Sequence, residues 1–366
     1  MYLSFTSARE VLHRLCELQE KDTLWLLCVS SQHADELPAF FEAARNEKIR
    51  FCGGVFPGLI NGNQRENKGI IAIPLPGEAQ LACGTLTENG VEWLAPLQIQ
   101  SDIKMTSALL FVDCHSPGIN RFFEDIYDNY STQVNYAGAG AGYSDLRQAH
   151  SIFCDTGFIE HGGIIILLPT RSTVNVQHGW SRVAGPFIAT RTKGNIIQEL
   201  NWVSAGTFYR NQVETIAPEL KDRPVFPDLG SRFPLSIGKQ SAEDVVRDPI
   251  EINNADEIVA LSDVPENSAI YISGGNKDTL IEAAQRAVVE CDGLTDINSC
   301  FISDCYSRAL MLGDELETEL NVVDIALKQF TDVHAEGVLA LGEVCGNSRS
   351  KLEFYNKTFV ITLTHR

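Results

Sequence analysis

Few side chains in this sequence are of the type and spacing that support chemistry. Of the eight histidines, His178 stands in Val174-Asn-Val-Gln-His-Gly-Trp. Gly179 leaves room beside its ring, and Trp180 offers a flat apolar wall. A single imidazole among aromatic and aliphatic neighbours is what a five-coordinate haem iron requires. His115 ends one apolar stretch and His161 precedes another, so both are alternative ligands. No two histidines share a metal-ligand spacing. Asp304-Cys-Tyr-Ser-Arg puts the Cys305 thiol beside a carboxylate and near Arg308. A nearby cation lowers a thiol pKa and an adjacent carboxylate opposes it, so Cys305 reads as structural. Glu343 follows Gly342 in an apolar stretch, which makes it either a buried, paired carboxylate or a ligand contact.

Other chemistry is missing. Ala137-Gly-Ala-Gly-Ala-Gly-Tyr is not a dinucleotide loop, because its glycines neither open a helix nor follow the required Gly-x-Gly-x-x-Gly order. It reads as a strand end where backbones pack closely. No Gly-x-Ser-x-Gly elbow and no His-Glu-x-x-His pair is present. Without a nucleophile and base in register, the chain is not expected to be an enzyme.

The elements that must carry these residues repeat. An apolar strand, an amphipathic helix, a Gly-rich strand end and a second apolar strand occur three times. Copy one runs from Leu24-Trp-Leu-Leu-Cys-Val through Phe40-Phe-Glu-Ala-Ala and Phe51-Cys-Gly-Gly to Gly69-Ile-Ile-Ala-Ile. Copy two runs from Ala108-Leu-Leu-Phe-Val-Asp-Cys through Phe122-Phe-Glu-Asp-Ile and Tyr136-Ala-Gly-Ala-Gly to Gly162-Gly-Ile-Ile-Ile. Copy three runs from Cys300-Phe-Ile-Ser-Asp-Cys through Val322-Val-Asp-Ile-Ala-Leu and Leu339-Ala-Leu-Gly-Glu to Thr358-Phe-Val-Ile. Residues shared by the copies build sheet; residues found once are the better candidates for function.

The pattern predicts an α/β (α+β) protein of two lobes, with mixed, largely antiparallel sheets flanked by helices and internally repeated β-α-β-β units. Gly77 to Gln98 reads as two strands turning at Glu88-Asn-Gly. A hairpin over 187–200 closes the first lobe, Phe208 to Ala217 is helical, and the Pro-rich stretch Pro218 to Pro234 is the linker. The domains are thus 1–200 and 201–366, with the boundary in the range 200–235. The net charge of −19 excludes a nucleic-acid footprint, which needs a basic face. No apolar run reaches membrane-span length and no signal peptide is visible, so the expectation is a cytoplasmic protein whose ten cysteines are free thiols.

The order of segments resembles the FIST family, the F-box and intracellular signal transduction proteins. The resemblance rests on Phe51-Cys-Gly-Gly-Val-Phe-Pro-Gly, Tyr136-Ala-Gly-Ala-Gly-Ala-Gly, His178-Gly-Trp and Thr190-Arg-Thr-Lys-Gly-Asn. Further along it rests on Phe233-Pro-Leu-Ser-Ile-Gly, Val246-Arg-Asp-Pro-Ile, Cys305-Tyr-Ser-Arg and Leu341-Gly-Glu, so it covers nearly the whole chain. It implies an N-terminal and a C-terminal family domain and a sensory role. Stand-alone bacterial members resemble haem proteins that sense nitric oxide and regulate a partner histidine kinase. Carried onto this chain, that implies haem b with its iron on His178, a pocket that includes Gly179 and Trp180, nitric oxide at the open iron position, and a histidine kinase as partner. A homodimer is compatible with this. The alternative is a small metabolite such as an amino acid, with Arg247, Arg308 and Glu343 as polar contacts. Phe51-Cys-Gly-Gly-Val-Phe-Pro-Gly lacks the family's small polar residues here, which tilts the implied ligand toward the less polar haem.

Overall fold

The computed structural model describes residues 1–20, 22–97, 104–240, 242–348 and 350–366. Gln98 lies outside them; the strand pair expected before it is Gln80–Thr87 with Gly90–Ala95. The chain divides into two compact units. One is Met1–Gln177 together with Ala284–Arg366, and the other is His178–Ala283.

The first unit is the threefold repeat. Its leading strands are Leu24–Ser30, Ser107–Asp113 and Ile297–Cys305. Each pairs in parallel with the second strand of its own repeat, Arg50–Phe56, Asn135–Ala141 or Ala335–Ala340. Parallel neighbours need a crossover, and a helix supplies it. These helices are Leu37–Asn46, Ile119–Tyr130 and, in repeat three, Tyr306–Leu312 followed by Leu316–Leu327. Phe40, Phe41 and Ala44 are buried in the first helix, and Phe122, Phe123 and Ile126 in the second. The same spacing on each makes one apolar face toward the sheet. The closing strands Ile70–Leu75, Gly162–Leu168 and Phe359–His365 run antiparallel to the leading strands.

One glycine per repeat marks the common slot. A Cβ added at Gly53, Gly138 or Gly337 would fall 1.9, 1.7 or 2.1 Å from the carbonyl oxygen of Leu27, Leu110 or Ile302. No side chain fits there, and the slot aligns the three leading strands residue by residue.

The repeats are interlocked. Between its second and closing strands each repeat makes a hairpin and lends it to another repeat's sheet. Repeat one lends Gly58–Asn61 and Gln64–Glu66 to repeat three. Repeat two lends Ile152–Cys154 and Gly157–Ile159 to repeat one. Repeat three lends Glu343–Asn347 and Ser350–Tyr355 to repeat two. The three sheets enclose one core to which every repeat contributes: Cys28, Cys52 and Phe56, then Phe111, Ala139 and Ala141, then Phe301, Val338 and Ala340.

The second unit is built on one antiparallel sheet. Its order is Val245–Arg247, Leu235–Ile237, Ala269–Gly274, Ser181–Lys193, Ile196–Leu200, Ile258–Ala260 and Pro249–Ile252. The hairpin expected to close the first lobe therefore belongs to this unit, where Ser181–Lys193 also pairs with Ala269–Gly274. The helix expected near Tyr209 is Ala205–Ile216. The Pro-rich stretch after it is not a linker. Leu220, Val225 and Leu229 are buried, so its prolines fix φ in short turns of a packed segment rather than in a free tether.

All ten cysteines are free thiols. Among the described residues no helix is long and apolar enough to cross a membrane.

Candidate functional site

The residues singled out in the sequence fall in both units. His178 and Arg247 lie in the second unit, Arg308 and Glu343 in the first.

His178 is the first residue of the second unit and is 5% exposed. Its backbone N–H donates to Glu243 Oε1 at 2.9 Å. Its ring Nδ1 accepts the Trp180 backbone N–H at 2.8 Å and lies 3.4 Å from Glu243 Oε1. An axial ligand must offer iron an unshared nitrogen pair. Accepting from Trp180 occupies the pair on Nδ1 and leaves the ring proton of a neutral imidazole on Nε2. Gly179 has φ +78, and a Cβ there would lie 2.4 Å from the Thr279 carbonyl oxygen, so backbone fills the room expected beside the ring. Trp180 is buried. The arrangement ties a loop to the start of the helix Lys277–Val289 and does not fit an axial haem ligand.

The two alternative histidines lie in other surroundings. His161 is exposed in a turn at φ +46, and its carbonyl accepts from Leu86 N–H at 2.8 Å. His115 is half-buried, with Nδ1 3.4 Å from Cys114 Sγ. Arg247 is 4% exposed and donates to the carbonyls of Asp263 at 2.8 Å and Val246 at 3.0 Å. Its guanidinium braces backbone.

Arg308 and Glu343 do come together, and the site they belong to is larger than the sequence suggested. The leading strand of repeat three ends at Cys305, and the next helix begins at Tyr306. Asp304 and Arg308 are therefore one helical turn apart, with Arg308 Nε 3.6 Å from Asp304 Oδ1. Glu319 enters from the helix Leu316–Leu327 and takes Arg308 Nε at 3.1 Å. Glu343 opens the lent hairpin and accepts Thr358 N–H at 3.2 Å and Thr358 Oγ1–H at 2.8 Å, both on Oε2. Asp304, Arg308, Glu319 and Glu343 are all fully buried, and Lys357 is 2% exposed.

Among the described residues neither oxygen of Asp304 and not Oε1 of Glu343 has a hydrogen-bond partner. A buried carboxyl in that state normally costs on the order of 1–3 kcal/mol or more and calls for an explanation. Burial pushes the Glu343 carboxyl up to about 8, against the hydrogen bonds from Thr358 that pull it down. Burial, and then the Glu319 carboxylate, hold Asp304 well above the usual carboxylate range, against the pull of Arg308. Burial likewise lifts the Cys305 thiol to about 12, which keeps it protonated and inert, in line with a structural cysteine.

Glu319, Lys357 and Thr358 were missed in the sequence. Glu319 left a signal, since it sits on the apolar face of its helix with Leu316, Leu320 and Val323. A carboxylate on such a face needs a partner. Lys357 and Thr358 stand in Tyr355-Asn-Lys-Thr, a stretch that shares in the family resemblance, but residue types there assign neither a role.

Comparison with protein families gives two matches, end to end. The FIST N domain matches residues 23–203 and the FIST C domain residues 205–346. That junction lies inside the second compact unit, so the two divisions of the chain do not coincide. No curated protein matches the chain.

Proposed function

This chain belongs to the FIST family, whose domains are sensory domains of signal transduction, and from that premise we propose that it senses a small molecule bearing an ammonium group. An amino acid or a simple amine is the chemical class. The observation that carries the reading is the set of buried carboxyl oxygens on Asp304 and Glu343 that accept no hydrogen bond. An ammonium group offers three donors and a positive charge to such oxygens. Arg308 already balances Glu319, so the added charge would fall to Asp304 and Glu343.

Binding would draw both carboxyls into their ionised forms and release protons. The cluster is closed to solvent here, so the ligand-bound state is a second arrangement. A ligand that favours one arrangement shifts the balance by its differential affinity. Glu343 opens the hairpin paired with repeat two, so a change at this carboxyl would reach a second sheet.

The test is thermal unfolding near pH 7 with a panel of amino acids and simple amines. It is followed by calorimetry of any hit in two buffers of different ionisation heat. The expectation is an upward shift that grows with ligand concentration, proton release, and loss of both in Glu343→Gln. Absence of any shift, together with a Soret band on adding haem that is lost in His178→Ala, would replace this reading with a haem sensor for nitric oxide.

A further inference from the structure

The carboxyl end of repeat two's leading strand holds a cluster of different chemistry, and it does not depend on the ligand of repeat three. We propose that Asp113, Cys114 and His115 bind a divalent transition-metal ion of the zinc type.

Successive side chains on a strand point to opposite faces, so three neighbours do not ordinarily converge. Here the strand stops at Asp113 and the chain turns, with Ser116 N–H donating to the Asp113 carbonyl at 2.9 Å. In the turn a carboxylate oxygen, a sulfur and an imidazole nitrogen lie within 4.8 Å of one another. Cys114 Sγ is 3.4 Å from His115 Nδ1, which is 3.9 Å from Asp113 Oδ1. Zinc bonds of about 2.3 Å to sulfur and about 2.0 Å to nitrogen or oxygen set tetrahedral donors roughly 3.3–3.6 Å apart. Two of the three edges thus stand near those of such a site, and the sulfur and the carboxylate, within 4.8 Å of each other, need to draw in to complete it. Among the described residues no other three His, Cys, Asp or Glu side chains converge in this way.

The surroundings support the donors. Asp113 is 4% exposed, and its carboxylate is oriented by His115 N–H at 3.0 Å on Oδ1 and Ser151 N–H at 3.3 Å on Oδ2. Such hydrogen bonds fix a ligand's aim. Gly142 clears space for the sulfur, since a Cβ there would lie 3.1 Å from Cys114 Sγ. Ser116 and Ser151, which both touch this turn, carry buried hydroxyls with no hydrogen-bond partner among the described residues. Water on a bound ion would serve such hydroxyls. Cys114 and His115 are half-buried, so solvent and an ion can reach the donors. A sulfur–nitrogen–oxygen set selects zinc-like ions over magnesium or calcium, which take oxygen ligands alone.

Cobalt(II) added to the metal-free full chain tests this. The expected result is one equivalent bound, with tetrahedral visible bands and a sulfur-to-cobalt band in the near ultraviolet, all erased by an equivalent of zinc. Cys114→Ser removes the sulfur band, and His115→Gln weakens binding at least about tenfold. Far-ultraviolet circular dichroism of both variants checks that they fold; should Cys114→Ser not fold, the half-exposed His115→Gln decides alone. No sulfur band in the wild type, or bands and affinity unchanged in the folded variants, would overturn the proposal.

Discussion

Asp113 and Cys305 occupy the same structural slot. Each is the third residue after the one whose carbonyl faces the repeat glycine, Leu110 over Gly138 and Ile302 over Gly337. The sequence suggests a different match, because Asp113-Cys114 and Asp304-Cys305 are the same dipeptide. In register they are one residue apart, and one residue reverses the face a strand side chain meets. Asp113 therefore caps a turn, while Asp304 meets Arg308.

Stability should fall as pH rises through the neutral range. The Glu343 carboxyl is held by burial near 8, against 4.5 as its ordinary value. Between those values the folded chain keeps a proton that the unfolded chain has lost, so rising pH favours unfolding. Denaturant midpoints from pH 5 to pH 8 should decline, and Glu343→Gln should flatten that decline. An equal slope in both proteins would refute the assignment.

The Arg308–Glu319 pair gives a non-additive prediction. Arg308→Met leaves a buried carboxylate uncompensated and should cost about 3–5 kcal/mol. Adding Glu319→Leu removes that charge as well and should recover most of the loss. Urea unfolding of the two single variants and the double variant measures the coupling.

Gly53→Ala should cost about 3 kcal/mol, by forcing a Cβ onto the Leu27 carbonyl at 1.9 Å. Gly77→Ala is the control. It is exposed, and its nearest neighbour would be the Asp22 Cβ at 3.9 Å, so the change should stay within about 0.5 kcal/mol. Comparable losses at both sites would contradict the slot argument.

His178→Ala removes the acceptor of a buried backbone N–H at 2.8 Å. It should destabilise the protein by about 1–3 kcal/mol with no ligand added. A melting temperature unchanged from wild type would mean that this ring does not brace the loop.

The three repeats were legible because apolar strands ending in glycine are a local signal, carried by Gly53, Gly138 and Gly342, whereas Gly337, the slot glycine of repeat three, stood outside it. The lending of hairpins was not. Alternation tells a strand which face is buried, but nothing in Gly58-Leu-Ile-Asn names Ala335–Ala340 as its partner. Arg308 and Glu343 were legible as charges in apolar contexts. Arg247 looked the same, yet its guanidinium serves backbone carbonyls. His178 was picked out by its aromatic and aliphatic neighbours, but its tautomer depends on the Trp180 amide, and residue types do not reveal that.

The exchange of hairpins also bears on synthesis. A ribosome makes repeat one first, and the strand Gly58–Asn61 then has no edge to join until Ala335–Ala340 has been made. Repeat one meanwhile lacks the hairpin that repeat two will supply to its sheet. The pairings that repeats one and two make with repeat three therefore wait for the end of synthesis, and until then the nascent chain carries open sheet edges. Such edges invite pairing with the wrong strand until repeat three covers them.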